Sequence, residues 1–289
     1  MSGIKNILKW QGGKSGLFEN TIKNYLSPSL FDPTQNITFI DGFAGGGSVF
    51  MYVLYNCPGV KRLVVNDYNT KLIRLYYDIR EQYNLVWKKL KELQDNYNSS
   101  GDKNKYYLDM RKEYNNLPVC LGSSVLLLAL NRTCFNGIYR ENSNGEFNVS
   151  WGKRDTLDYT EDWLKEINTL MNSKPIYFIS GDFEKTWDYI TNDSFIYLDP
   201  PYRPLSGSSS FTSYTSSPFN DKSQERVKLF CDKAIKEGAN IMVSNSYDPN
   251  DDFLLKLWKN YTIIQIEANR SSGGKGAMRG SILENLIKN

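Results

Sequence analysis

The chain has 289 residues, 40% hydrophobic and 14% aromatic, enough to bury a core in one large or two modest domains and too apolar for a disordered tail. A formal charge of +3 does not by itself mark a nucleic-acid binder, and the absence of histidine excludes mechanisms that need an imidazole, from a Ser-His-Asp triad to a His-ligated zinc. Cys57, Cys120, Cys134 and Cys231 form no C-x-x-C pair, which argues against a zinc ribbon or a disulfide framework and leaves reduced thiols, three of them among apolar neighbours.

Met1-Ser2-Gly3-Ile4-Lys5-Asn6 runs into patterned sequence without a secretory signal, so a cytoplasmic protein is expected. The longest purely aliphatic stretch, Val125 to Leu130, falls far short of the roughly 18 to 20 residues of a membrane span. Seven β-branched or aromatic runs read as strands: Ile37 to Asp41, Arg62 to Asp67, Pro175 to Ser180, Phe195 to Asp199, Asn240 to Ser244, Thr262 to Ala268 and Ile282 to Ile287. Helical patterns alternate with them, as from Lys222 to Glu237, which stops at Gly238, and the alternation predicts an α/β sheet of mainly parallel strands.

Between strands two and three the alternation breaks. Leu72, Tyr76, Ile79, Tyr83, Val86, Leu90 and Leu93 recur at helical spacing, and further helix is expected from Lys103 to Asn115 and from Cys120 to Thr133. Asn142-Ser143-Asn144-Gly145 is a turn cluster between Ile138-Tyr139 and Phe147, Val149, which predicts a hairpin or ordered loop; Ser206 to Asn220 reads as a second, Ser/Thr-rich loop.

Two motifs carry chemistry. The first strand meets Gly42-Phe43-Ala44-Gly45-Gly46-Gly47, where glycines let the backbone approach a ligand before a helix opens; a tight turn is the plainer reading. Asp67 closes the second strand about 20 residues later, where an acid accepts hydrogen bonds from ribose hydroxyls, and the pair points to an adenosyl ligand. Asp199-Pro200-Pro201-Tyr202 follows the apolar run Phe195 to Leu198 at the sheet edge where open α/β folds bind ligands. Its prolines remove two competing donors, so the Asp199 carboxylate and the Pro200 carbonyl can accept both hydrogens of an amino group on a flat base, with Tyr202 to stack. Accepting both would localise the nitrogen lone pair toward an incoming methyl.

In their order, these parts resemble the Dam-type group of adenine-specific DNA methyltransferases, the alpha group of the D12 class, over nearly the whole chain. Lys9-Trp10-Gln11-Gly12-Gly13-Lys14 is similar to the family's K-W-x-G-G-K segment, implying that Trp10, Gly12 and Lys14 help hold S-adenosylmethionine. Asp41, Phe43, Gly45 and Gly47 fall on its D-x-F-x-G-x-G pattern, Asp67 on its ribose-binding acid, Asp182 and Phe183 on its adenine contact and Asp199 to Tyr202 on its D-P-P-Y catalytic motif. Without the resemblance Asp182 reads only as a helix N-cap.

Phe135 to Val149 resembles the recognition hairpin of the members that read GATC, with Ser150 departing from a usual proline. The resemblance implies a Rossmann-like seven-stranded fold over residues 1–70 and 166–289, with an inserted helical target-recognition domain over 71–165 and its hairpin at 135–151. It implies double-stranded DNA as substrate, adenine flipped onto Tyr202, S-adenosylhomocysteine as product and no metal. Arg140 is expected on a guanine edge and Asn136 or Asn142 on an adenine edge, with Tyr139 also at the DNA; Arg132, Lys153, Arg154, Arg270, Lys275 and Arg279 are expected on phosphates. The chain is expected to act as a monomer, with any cognate restriction endonuclease acting separately. Competing readings are an N4-cytosine methyltransferase, a noncatalytic nucleic-acid-binding protein and a nicotinamide-dependent oxidoreductase.

Overall fold

The computed structural model describes residues 6–10, 12–202, 219–269 and 281–289. Most of the Ser206 to Asn220 loop, and Arg270, Lys275 and Arg279, lie outside the described residues.

Two apolar runs distant in sequence become adjacent central strands. β1 (Ile37–Asp41) and β4 (Ser194–Leu198) are buried along their whole length and pair in parallel, from Thr38 opposite Ser194 to Asp41 opposite Tyr197. β2 (Val60–Asp67) and β3 (Ile176–Ser180) continue the parallel sheet on one side and β5 (Asn240–Ser246) on the other. β7 (Ser281–Lys288) then runs antiparallel between β5 and β6 (Thr262–Asn269), giving the order β3-β2-β1-β4-β5-β7-β6. All seven expected strands are present, each with ends within two residues of those read from the sequence.

Burial on both faces explains why these strands read as near-continuous apolar runs. Phe39, Leu63, Val65, Phe195, Tyr197 and Met242 enter one hydrophobic cluster, while Ile40, Val64, Ile196, Leu198, Ile241 and Val243 enter a second on the opposite face. α2 (Ser48–Asn56) lines the first face; α7 (Asp221–Lys236) and α8 (Phe253–Leu257) cover the other.

The first cluster extends without a break into α3 (Thr70–Ser99), α4 (Lys103–Asn116) and α5 (Leu121–Thr133), through Tyr76, Val86, Leu90, Tyr107, Tyr114 and Val125 to Leu130. α3 and α5 are also joined by a polar tie, in which the buried Asp78 carboxylate accepts from Arg74 Nε at 2.8 Å and Ser124 Oγ at 2.7 Å. Sequence reading passed over α6 (Glu161–Met171), although Thr160 caps it by accepting from the Trp163 amide at 3.3 Å and two acids occupy its first turn. The domain boundary expected between 165 and 166 falls inside this helix. No described helix is long and apolar enough to cross a membrane.

Residues 135–151 form an ordered loop with antiparallel bridges at Cys134 to Trp151 and Glu141 to Phe147. α4 stands in for a neighbouring strand: Asn115 Nδ2 donates to the Phe147 carbonyl at 3.0 Å, and its Oδ1 accepts from the Phe147 amide at 2.9 Å. Tyr107 Oη donates to the Val149 carbonyl at 2.8 Å, so the loop is held along its length.

Candidate active site

The C-terminal edge of the parallel strands gathers the sequence-predicted residues. After β1, the Gly45 amide donates to Asp67 Oδ2 at 2.9 Å while the Asn69 amide donates to Asp67 Oδ1 at 2.8 Å, so the two halves of the expected cofactor site touch. Buried Asn66 braces them further, its Nδ2 donating to the carbonyls of Gly42 at 2.9 Å and Gly181 at 3.2 Å. Tyr76 of α3 donates its hydroxyl to the Gly45 carbonyl.

The glycines serve packing as well as approach. A Cβ on Gly46 would stand 2.6 Å from Trp10 Cβ and 3.1 Å from the Leu8 carbonyl, so the loop can lie against the N-terminal segment only with hydrogen at that position. Gly47, at φ 84°, turns the chain into α2 in a conformation that a side chain would strain. Gly12, between Trp10 and Lys14, is exposed and also has positive φ.

Asp41 is an unsatisfied group of the site. It is 1% exposed, and neither carboxylate oxygen has a hydrogen-bond partner among the described residues. Burial raises its pKa well above the usual carboxylate range, the charges of Asp199 and Asp67 raise it further, and the nearby Phe43 and Phe50 amides only partly offset this. Such a group calls for a donor or a cation from outside the chain. Burial likewise raises Asp67. Phe43 lies 5.3 Å from the ring of Phe183, itself buried, and 5.9 Å from that of Phe219. Asp182 accepts from the Glu184 amide at 3.1 Å and pairs with Arg226 at 2.9 Å, so the N-cap reading describes its observed bonds.

Asp199 emerges from β4 into a four-residue cluster. Its side chain keeps 18% exposure at the end of β4. Lys14 Nζ stands 3.4 Å from Asp199 Oδ1 and 3.1 Å from Glu284 Oε2, and donates to Tyr202 Oη at 2.6 Å. Tyr202 Oη in turn donates to Glu284 Oε2 at 2.8 Å. Burial lifts the Asp199 pKa to about 6; the Lys14 ammonium opposes that rise and the Glu284 charge adds to it. The Lys14 pKa is also raised, its two carboxylate partners outweighing burial, so it stays charged.

The peptide after Asp199 is held by residues that carry no motif. Gln224 of α7, wholly buried, donates from Nε2 to the Pro201 carbonyl at 3.1 Å and accepts from Asn245 Nδ2 at 2.9 Å. Pro200 is buried and Pro201 half-buried.

The 135–151 loop approaches the same edge through Trp10, whose ring stacks on Tyr139 with centroids 4.8 Å apart and planes 17° from parallel. Tyr139 is 3% exposed and donates its hydroxyl to Glu141 at 2.6 Å, so its ring and hydroxyl are engaged within the loop. Asn142 is similarly committed, its Oδ1 accepting from the Asn144 and Glu146 amides, both at 3.0 Å, and its Nδ2 donating to Glu146 at 2.8 Å. Asn136, at φ 56°, is exposed, as are Lys153, Arg154 and Phe135, the last an aromatic that the sequence reading did not single out. Arg140 is half-buried with Nε on Asn148 Oδ1 at 2.8 Å, and Arg132 pairs with Asp158 at 2.8 Å.

A parallel sheet with a reversed strand inserted at one end, bearing a glycine loop, a second-strand acid and Asp-Pro-Pro-Tyr on one edge, defines a Rossmann-like methyltransferase. Comparison with known proteins narrows the class. A model of the D12 class N6 adenine-specific DNA methyltransferases matches residues 10–272. Type II methyltransferase M.MjaIII of Methanocaldococcus jannaschii is 35% identical, covering 99% of both chains. Type II methyltransferase M1.LlaDCHI of Lactococcus lactis subsp. cremoris is 32% identical, covering 99% of this chain and 95% of that one. The DNA adenine methylase of Vibrio cholerae serotype O1 is 29% identical, covering 99% and 96% respectively. The chain belongs to the D12 class N6 adenine-specific DNA methyltransferases. Adenine is therefore the acceptor base, and the cytosine, noncatalytic and oxidoreductase readings fall away.

Proposed function

We propose that the enzyme methylates adenine N6 within GATC in double-stranded DNA after extruding the base from the helix, with Asp199 and the Pro200 carbonyl accepting the two amino hydrogens. The observation that carries this is Asp199, held at the end of β4 within 3.4 Å of Lys14 and with 18% of its side chain still exposed. S-adenosylmethionine, when bound, supplies a methyl group on a sulfonium, and the site fits a cationic ligand: unsatisfied Asp41, with Asp67 and Asp199 close enough to raise its pKa, gathers three carboxyl groups at one sheet edge. Trp10, Gly12, Lys14, Phe43, Gly45, Gly47, Asp182 and Phe183 would complete its walls. The 71–165 segment is the target-recognition unit in this reading. The Type II names of two relatives support a restriction-modification setting with a separate cognate endonuclease.

Tyr202 would stack on the extruded ring, at a cost of a few kcal/mol for unstacking the base. The amino nitrogen, its hydrogens held, presents its lone pair to the methyl carbon, and the proton is lost after transfer, when the nitrogen is acidic; no imidazole is needed. Because Asp199 must be ionised to accept, kcat/KM is expected to fall below about pH 6 as its carboxyl protonates, and to be retained above it. A profile that stays flat through that range would remove Asp199 from the role of charged acceptor.

Arg140 retains guanidinium donors beyond the Nε used on Asn148, and we assign it the guanine of the site; exposed Asn136 takes the adenine contact better than Asn142, whose amide is committed within the turn. Arg140→Ala is expected to cost about 1–3 kcal/mol of discrimination, roughly tenfold to a hundredfold in relative kcat/KM for GATC over duplexes altered at the guanine. The test of the whole reading is transfer of labelled methyl to duplexes carrying GATC or its single-base variants, with nucleoside analysis. Label in N6-methyladenine at GATC is expected; equal label in the variants would overturn the target assignment.

A further inference from the structure

Glu284 has no part in any motif, yet it is the point where the catalytic cluster is tied to the far side of the sheet. It lies on β7, opposite Ser246 of β5 and Ile266 of β6, with 6% of its surface exposed. A carboxylate flanked in its strand by Ile282, Leu283, Leu286 and Ile287 is costly to bury unless its bonds are made. Its Oε2 makes two, accepting from Lys14 Nζ at 3.1 Å and from Tyr202 Oη at 2.8 Å.

These bonds bear on both groups assigned to the base. The Lys14 ammonium stands nearer Glu284 than Asp199, at 3.1 against 3.4 Å, so Glu284 draws it off the carboxylate that must accept the amino hydrogens. The same oxygen fixes the hydroxyl of Tyr202 and with it the plane of the ring expected to stack on adenine. We propose that Glu284 is a positioning residue for methyl transfer, holding Lys14 and Tyr202 so that Asp199 stays available to the target amino group. This rests on the assignment of Asp199 as acceptor.

Among the described residues, the charged and titratable groups around Asp199 are Lys14 from the N-terminal segment, Asp41 from β1, Tyr197 from β4, Tyr202 beyond it and Glu284 from β7. Of these, Glu284 both repels the Asp199 charge and competes for its ammonium. Removing its charge therefore has a signature that loss of packing lacks: Asp199 becomes easier to ionise while the enzyme becomes slower.

The experiment compares wild type, E284Q, E284D and Asp199→Ala in the full-length enzyme, using duplex DNA and saturating S-adenosylmethionine, with thermal unfolding monitored in parallel. E284Q is expected to lower plateau kcat by about tenfold or more through misplacement of the acceptor and ring, and to move the acid limb of the profile to lower pH. E284D keeps a carboxylate and is expected to hold the limb near the wild-type pH with a smaller loss of kcat. An E284Q enzyme with the wild-type limb, whether slowed or not, would overturn the proposal and leave Asp199 in place; so would E284D moving the limb as far as E284Q. Asp199→Ala with wild-type activity would instead overturn the acceptor assignment, and this proposal with it.

Discussion

Asp199→Ala is expected to reduce kcat by about a hundredfold to a thousandfold, the scale on which loss of one preorganised polar group slows enzymes that work by fixed hydrogen bonds. The mutant should not be less stable. A carboxyl lifted from its ordinary 3.8 to about 6 binds its proton more tightly in the folded protein, so ionising it destabilises the fold. The cost is absent below pH 4, grows as pH rises toward the folded pKa, and above it is on the order of 3 kcal/mol. Removing the carboxylate lifts that cost, and Lys14 keeps Glu284 as partner at 3.1 Å. At pH 8 the mutant should therefore unfold at the wild-type temperature or above it while transferring methyl groups far more slowly. A mutant that loses activity only in step with a lowered unfolding temperature would mean that the carboxylate is structural.

This opposition between stability and activity marks what could be read in the chain. β1 and β4 were legible because both their faces are covered, which buries five residues in each, and the acids Asp41 at the end of β1 and Asp199 just after β4 stand out against those runs. Gly46 and Gly47 were legible as a cluster, but the partner that requires Gly46 to lack a side chain was not, since Trp10 reaches it only in the fold. Glu284 and Gln224 had no local signature: each is one polar residue among several in its element, and its use follows from a contact with Lys14 or Pro201 that only the fold makes. Tyr139 and Asn142 make contacts within the loop that the sequence did not show, because a long loop needs some of its own side chains to hold its shape.

Asn131 shows how far that internal support extends. It follows the apolar run of α5 and is 4% exposed. Its Oδ1 accepts from the Lys9 amide at 2.9 Å, and its Nδ2 donates to the Lys9 carbonyl at 2.8 Å and the Gly137 carbonyl at 3.1 Å. One amide thus fastens the N-terminal segment and the start of the 135–151 loop to the same helix. Asn131→Ala orphans three backbone groups and is expected to destabilise the protein by about 2–4 kcal/mol, in line with the penalty for unsatisfied buried partners. The effect should reach function through the next residue, because Trp10 packs on Gly45 and Gly46 and stacks on Tyr139. With Lys9 released, KM should rise for both S-adenosylmethionine and DNA while kcat at saturation changes less, since the Asp199 cluster is not touched. Denaturant unfolding and initial rates with each substrate varied in turn decide the matter: an unchanged midpoint with both KM values at wild type would show that Asn131 couples nothing.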